Sequence, residues 1–238
     1  MPDHGEDSSD ITLPSLSRRR MLAAGAAVVG GVGLAGATSS ATADQGTSGS
    51  AVGVGPQGTT TVELRGRISQ TGDTGELFTS YGYLTRVTKT QRRQLFKGSP
   101  HNETTALLTA YATGDLRARV LDMSVHSLDI IGAMTIYQRR HPGASFDDPS
   151  SFKVGSPVAR YDMTLQDILA VYAMAQGIPT LTGDMVQTAA HEMSGELAGK
   201  TFGRTGLRMR FFATGLGVLK DPVTLNADLE IAGNWSIE

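Results

Sequence analysis

The stretch Thr59-Thr60-Thr61-Val62-Glu63-Leu64-Arg65-Gly66-Arg67-Ile68 decides the fold. Val62, Leu64, Gly66 and Ile68 fall on one side of an extended chain, and Glu63, Arg65 and Arg67 on the other. A period of two belongs to the β-strand, whose successive side chains point to opposite faces. The segment therefore reads as a strand with one face buried and one in water. Gln70-Thr71-Gly72-Asp73-Thr74-Gly75 follows it with turn chemistry.

The same pattern recurs along the chain. Residues 77–88 place Tyr81, Tyr83, Thr85 and Val87 on one face. After a break at Lys97-Gly98-Ser99-Pro100-His101-Asn102, residues 104–113 alternate again, and Gly114-Asp115 suits a hairpin turn before a strand at 117–121. Residues 124–137 align Leu128, Ile130, Gly132, Met134 and Ile136, and 158–163 form a further short strand. Residues 206–217 alternate Leu207, Met209, Phe211 and Ala213 with Arg208, Arg210 and Phe212. Residues 224–237 set Leu225, Ala227, Leu229 and Ile231 against Asp228 and Glu230. Many strands with Gly-rich connections predict an all-β, mainly antiparallel domain. Gly66, Gly82, Gly132, Gly215 and Gly217 lie inside strand patterns, where glycine marks bulges and bends. A sheet that closes on itself needs such bends, which favours a barrel over a sandwich.

One segment reads two ways. Thr164-Leu165-Gln166-Asp167 has the form of a helix N-terminus, and Leu165, Ile168, Leu169 and Tyr172 have helical spacing. Gly177 and Pro179 then act as stop signals. A short helix near 165–176 and a strand with Leu169, Val171 and Ala173 inward both fit.

The N-terminal part has the layout of an export leader: a polar region over 1–20, a weakly apolar core over 21–37, and a small-residue site at Ala41-Thr42-Ala43. Ser17-Arg18-Arg19-Arg20-Met21-Leu22 resembles the twin-arginine consensus, with Met21 for the usual Phe and Ala23 where Lys is common. The resemblance implies that the twin-arginine translocase reads Arg18 and Arg19, and that signal peptidase reads Ala41 and Ala43. It implies an exported domain, in the periplasm, cell wall or medium, that folds before transport. A membrane-spanning helix needs ~20 strongly apolar residues. This stretch is shorter and carries Gly25, Gly30, Gly31, Gly33 and Gly36, so no stable membrane anchor is expected. The expected organisation is a signal peptide over 1–43, a Gly/Ser/Thr-rich flexible linker over 44–58, and one domain over 59–238.

Composition narrows the partners. The formal net charge is −2. Arg18, Arg19 and Arg20 in the leader are offset there by Asp3, Glu6, Asp7 and Asp10, so the remainder is also near neutral. That balance argues against nucleic acid or an anionic membrane as the main partner. The chain has no cysteine, hence no disulfide, thiolate nucleophile or Cys-ligated metal.

Chemistry-bearing motifs are sparse. His101, His126, His141 and His191 have no metal-ligand spacing, and His191-Glu192 lacks the second histidine of a zinc-protease helix. No P-loop, nucleophile elbow or dinucleotide fingerprint occurs, so neither cofactor nor metal is expected. His126 reads as a hydrogen-bonded structural or surface histidine. Tyr81, Tyr83, Tyr111 and Tyr161 are spread over different strands; core packing is the default, and a barrel mouth is the alternative. Arg208 and Arg210 read as a solvated strand face, paired across a hairpin with Asp228 or Glu230; facing a cavity, they would hold a carboxylate or phosphate. These six residues are the candidate ligand contacts, and no catalytic residue stands out.

Gly155-Ser156-Pro157-Val158-Ala159-Arg160-Tyr161 and Phe202-Gly203-Arg204-Thr205-Gly206-Leu207 add to the domain length and the glycine-punctuated strands. Over residues 60–237 the chain resembles small β-barrels of the allene oxide cyclase and dirigent kind. Those families guide cyclisation or radical coupling inside an apolar barrel, and none of their functional residues is matched here one by one. Three functions follow as expectations: a barrel that binds an apolar or amphipathic small molecule, a cofactor-free isomerase or cyclase acting in the cavity, or a structural envelope or surface protein. Whether the chain is an enzyme stays open at this point.

The arginine pair is testable at once. Arg18→Lys combined with Arg19→Lys is expected to hold the precursor in the cytoplasm, because an ammonium lacks the rigid fork of a guanidinium. Fractionation and immunoblotting read the outcome; export that persists without the twin-arginine translocase defeats the assignment.

Overall fold

The computed structural model describes residues 50–238. The expected signal peptide, with Arg18, Arg19, Ala41 and Ala43, lies outside the described residues. The strands are β1 (Thr60–Thr71), β2 (Leu77–Val87), β3 (Leu108–Asp122), β4 (Val125–Gln138), β5 (Ser156–Ala173), β6 (Gln176–Ala190), β7 (Arg208–Asp221) and β8 (Asn226–Ile237). Each pairs antiparallel with the next, and β8 returns to β1 from Thr60↔Ser236 to Gln70↔Ala227, closing an eight-stranded barrel. The alternation in the sequence now has a physical meaning: one row of each strand fills the barrel, and the other faces outward.

Three expectations change. The short helix near 165–176 is not formed; residues 165–173 belong to β5, which is paired along both edges by β4 and β6. Two full ladders satisfy the backbone there, and the helical spacing of a few apolar residues cannot compete with them. Gly114-Asp115 is not a turn but the middle of β3, where Gly114 faces Gly132 of β4. The linker expected to be flexible over 44–58 is anchored at Val52 and Gly53, which are buried, while Pro56, Gln57 and Gly58 are exposed. Val52 is fully buried, donates its N–H to Thr201 O at 2.9 Å, and accepts from Gly203 N at 2.9 Å. Two isolated valines in a polar run carried too little pattern to reveal this contact.

Bulges decide which side chains enter the barrel. Between β1 and β2 the register runs Glu63↔Arg86 and then Leu64↔Leu84, so Thr85 is the extra residue. Leu84 and Val87 therefore both point inward, while Tyr81 and Tyr83 point outward. Between β3 and β4 the register moves from Leu116↔Ile130 to Ala118↔Asp129. A one-residue slip exchanges the two faces of a strand, and here it turns Arg119 inward.

The two ends of the barrel differ. Short hairpins join β1–β2, β3–β4, β5–β6 and β7–β8 at one end. The long connections and both chain ends of the barrel lie at the other, where Val52, Leu95, Met193, Leu197 and Phe202 are buried in one core with Trp235. Trp235 stacks at 5.6 Å from Tyr161 and 6.5 Å from Phe202, so this end is closed by aromatic packing. The connection between β4 and β5 folds along the outer wall and brings Ala144, Phe146 and Phe152 over Tyr81 and Tyr111, a second small core outside the barrel.

No helix among the described residues is long and apolar enough to cross a membrane. At mid-height the outward row carries Arg67, Asp129, Asp162 and Asp184, while the inward row carries Ile68, Ile130, Met163 and Leu181.

A close backbone approach tests the packing. Gly66 and Gly82 face each other; a Cβ on Gly82 would meet the Arg65 carbonyl oxygen and lie 2.8 Å from the Gly66 Cα. Gly82→Ala is expected to cost about 1–3 kcal/mol, because only backbone could give way. Gly217→Ala, whose Cβ has its nearest neighbours at 3.5 Å, should change stability little. Urea unfolding of both variants, compared by midpoint at constant slope, measures the difference.

Candidate functional site

Side-chain size along the inward rows opens a site at the hairpin end. β6, β7 and β8 contribute Gly177, Gly217 and Ala227 there, where β3 and β5 contribute Leu121, Leu169 and Val171. The small residues leave a cavity of about 140 Å³ that opens between the hairpins. A dry cavity of about 150 Å³ accepts a single aromatic ring. One layer deeper, Leu64, Ile68, Met163, Leu181 and Phe211 leave only about 40 Å³, and beyond them the aromatic end is packed.

Five polar side chains line the cavity: Gln70 of β1, Arg119 of β3, His126 of β4, Asp167 of β5 and Gln176 of β6. Asp167 is 3% exposed. It interrupts the row Met163, Leu165, Asp167, Leu169, Val171, so its period-2 position forces a carboxyl into an apolar interior. The β6–β7 ladder lapses at Ile178 and Pro179, as expected of a residue without an N–H. Beside that lapse, Thr180 N donates to Asp167 Oδ1 at 3.0 Å. Burial pushes the Asp167 carboxyl up to about 6, with the Thr180 N–H bond acting weakly against it.

Two donors of the site, Arg119 and Gln70, are tied to the β1–β2 hairpin. Arg119 gives its two terminal nitrogens to Thr74 O at 2.7 Å and Gly75 O at 2.8 Å, and Gln70 Nε2 also donates to Gly75 O at 2.8 Å. These bonds tie the β1–β2 hairpin across the mouth. Burial lowers the Arg119 pKa, and the nearby Glu76 carboxylate opposes that shift. Among the described residues no group of three or more His, Asp or Glu side chains converges to hold a metal ion.

The sequence-predicted contacts lie elsewhere. Tyr81, Tyr83 and Tyr111 face outward; Tyr81 packs 5.4 Å from Phe152, and Tyr83 packs 6.1 Å from Phe96. Tyr161 points inward, but at the closed end, where burial raises the pKa of its phenol. Arg208 is exposed, and Arg210 on the outer face lies 3.4 Å from Asp184 and 3.9 Å from Glu238. Asp228 and Glu230 pair instead with Lys220 and Arg67. None of the six lines the mouth cavity. His126, read as structural, does. Gln70, Arg119 and Asp167 are not among the sequence-predicted contacts; the signal for Asp167 is an acid in an otherwise apolar row, which also fits a helix N-terminus.

Around the opening the hairpin tips are apolar. Met123 and Met174 are each 95% exposed and Val223 is 86% exposed. Comparison with known proteins finds no family model, no curated protein sequence and no solved structure that matches this chain.

Asp167 makes stability depend on pH. Its folded pKa of about 6 lies above the ordinary value of 3.8, so the folded protein holds this proton more tightly than the unfolded chain. The contribution is complete below about pH 4, is lost as pH rises through about 6, and stays lost above. Asp167→Asn removes the buried charge, so the variant should be more stable than the parent by on the order of 2 kcal/mol at about pH 8 and no more stable at about pH 4. Urea titrations at the two pH values check the sign.

Proposed function

We propose that the chain is exported by the twin-arginine route and binds an apolar or amphipathic small molecule in the hairpin mouth of the barrel. The observation that carries this reading is the cavity of about 140 Å³, apolar in most of its lining and open between exposed apolar hairpin tips. Packed interiors rarely keep voids larger than a water molecule. Here the void arises because glycine and alanine stand where leucine or phenylalanine would fill the barrel. A structural role alone gives no reason for that choice. The size restricts the inserted part to about one ring or a short branched chain, and any remainder lies among Met123, Met174 and Val223.

The second reading is a cofactor-free isomerase or cyclase, and Asp167 is what favours it. A carboxyl with a pKa near neutrality, held in an apolar cavity, is suited to giving and taking a proton. Binding comes first because Arg119 is committed to the hairpin and no nucleophile lines the cavity.

Native mass spectrometry of the secreted protein tests the reading. The parent is expected to carry a small-molecule adduct. Gly217→Val, which places methyl groups in the cavity at a position of ordinary contact distance, is expected to fold and to lose it. Bare parent protein from several hosts removes the support for binding, and turnover of the recovered molecule by the parent selects the enzyme reading.

A further inference from the structure

On the reading that the mouth binds a small molecule, we infer that the ligand is an amine, its ammonium seated on the free oxygen of Asp167 and its apolar body directed toward the hairpin tips. The argument is one of unmatched groups. Asp167 is 97% shielded from solvent, being 3% exposed, yet only its Oδ1 is engaged, by Thr180 N. Oδ2 has no hydrogen-bond partner among the described residues. A buried carboxylate needs a counter-charge or donors to offset its desolvation.

Two of the protein's own donors, Arg119 and Gln70, are tied to the β1–β2 hairpin. Arg119 is the one fixed cation lining the cavity, and its terminal nitrogens are bound to Thr74 O and Gly75 O. One N–H of the Gln70 amide is bound to Gly75 O, and its carbonyl oxygen accepts no hydrogen bond. Asp167 Oδ2 and the Gln70 carbonyl oxygen thus stand as open acceptors, and neither His126 nor Gln176, the other polar side chains of the lining, donates to them. An ammonium supplies three N–H donors and the missing charge in one group. A carboxylate ligand would meet like charge, and an uncharged hydrocarbon would leave Oδ2 unpaired.

Dimensions agree. Asp167 lies about 13 Å inward of Val171 along β5, at about 3.3 Å per residue. Leu128, Leu169 and Leu229 surround that path. An aminomethyl group on one ring fills the inner part of that path, and a longer apolar body continues it toward the hairpin tips.

The titratable groups facing Asp167 are His126 from β4 and Arg119 from β3. The inward residues of β1, β6, β7 and β8 in this cavity are Gln70, Gln176, glycines and aliphatic side chains, none of which titrates. Protonation of Asp167 in mildly acidic solution removes the counter-charge, so amine affinity should fall as pH is lowered toward about 5.

The experiment is an NMR titration of the full exported domain with benzylamine, benzyl alcohol, toluene and benzoate, at about pH 7.5 and about pH 5. Benzylamine is expected to bind tightest at the higher pH, benzoate not at all. Asp167→Asn should lower benzylamine affinity at least about tenfold and leave toluene unchanged. His141→Gln, outside the cavity, should keep both the preference and its pH dependence. Toluene or benzyl alcohol binding as well as benzylamine, with Asp167→Asn indifferent, overturns the amine while leaving the binding reading in place. Failure of every probe to bind the parent overturns both.

Discussion

The ladder between β1 and β8 governs the rest of the structure. Once the first and last strands pair, the strand number fixes the width of the interior, and an eight-stranded barrel is just wide enough for its own side chains to fill. No further freedom remains except the size of each inward residue. Trp235, Tyr161, Phe211 and Met209 take up the space toward the closed end. Gly177, Gly217 and Ala227 decline to take it up at the other. The cavity is thus not a gap in an irregular surface but the remainder of a packing problem with fixed walls.

Closure also explains what the outer surface contributes. The ion pairs Arg67–Glu230 and Arg86–Glu63, each at 2.9 Å, sit on the solvated face and add about 0–1 kcal/mol apiece. The second core is more consequential. Arg67 lies 4.8 Å over the Phe146 ring and Lys153 4.5 Å over Tyr111, so the long β4–β5 connection is held to the wall by aromatic contact and cation–π attraction. The tyrosines that an inward reading would have placed in a ligand site serve as the floor beneath that connection.

The fold was largely legible because period-2 patterning over 60–71, 125–138, 208–221 and 226–237 is strong and continuous. β6 was not, because Gly177, Pro179 and Gly183 interrupt its apolar row. The site was hardly legible at all, for two physical reasons. The bulge between Leu116 and Ala118 reverses the facing of Arg119, and the extra residue there is Arg117, with no glycine to mark it. Asp167 stands three residues after Thr164, a spacing shared by helix caps and by strands with one misplaced acid. Only the neighbouring strands decide between them. The arginines Arg18 and Arg19 bear on the proposed export route and carry no information about the barrel.

The separation of the two barrel ends has a practical geometry. Thr60 begins β1 and Ile237 ends β8 at the same closed end, beside the Trp235 packing. Anything fused to the C-terminus is therefore attached on the side away from Asp167. A sensor chip, a bead or a second domain joined there would display the opening like a cup held by its base, leaving ligand traffic unobstructed. Exchange of the Met123, Met174 and Val223 tips could then retune what enters without touching the residues that hold the cup together.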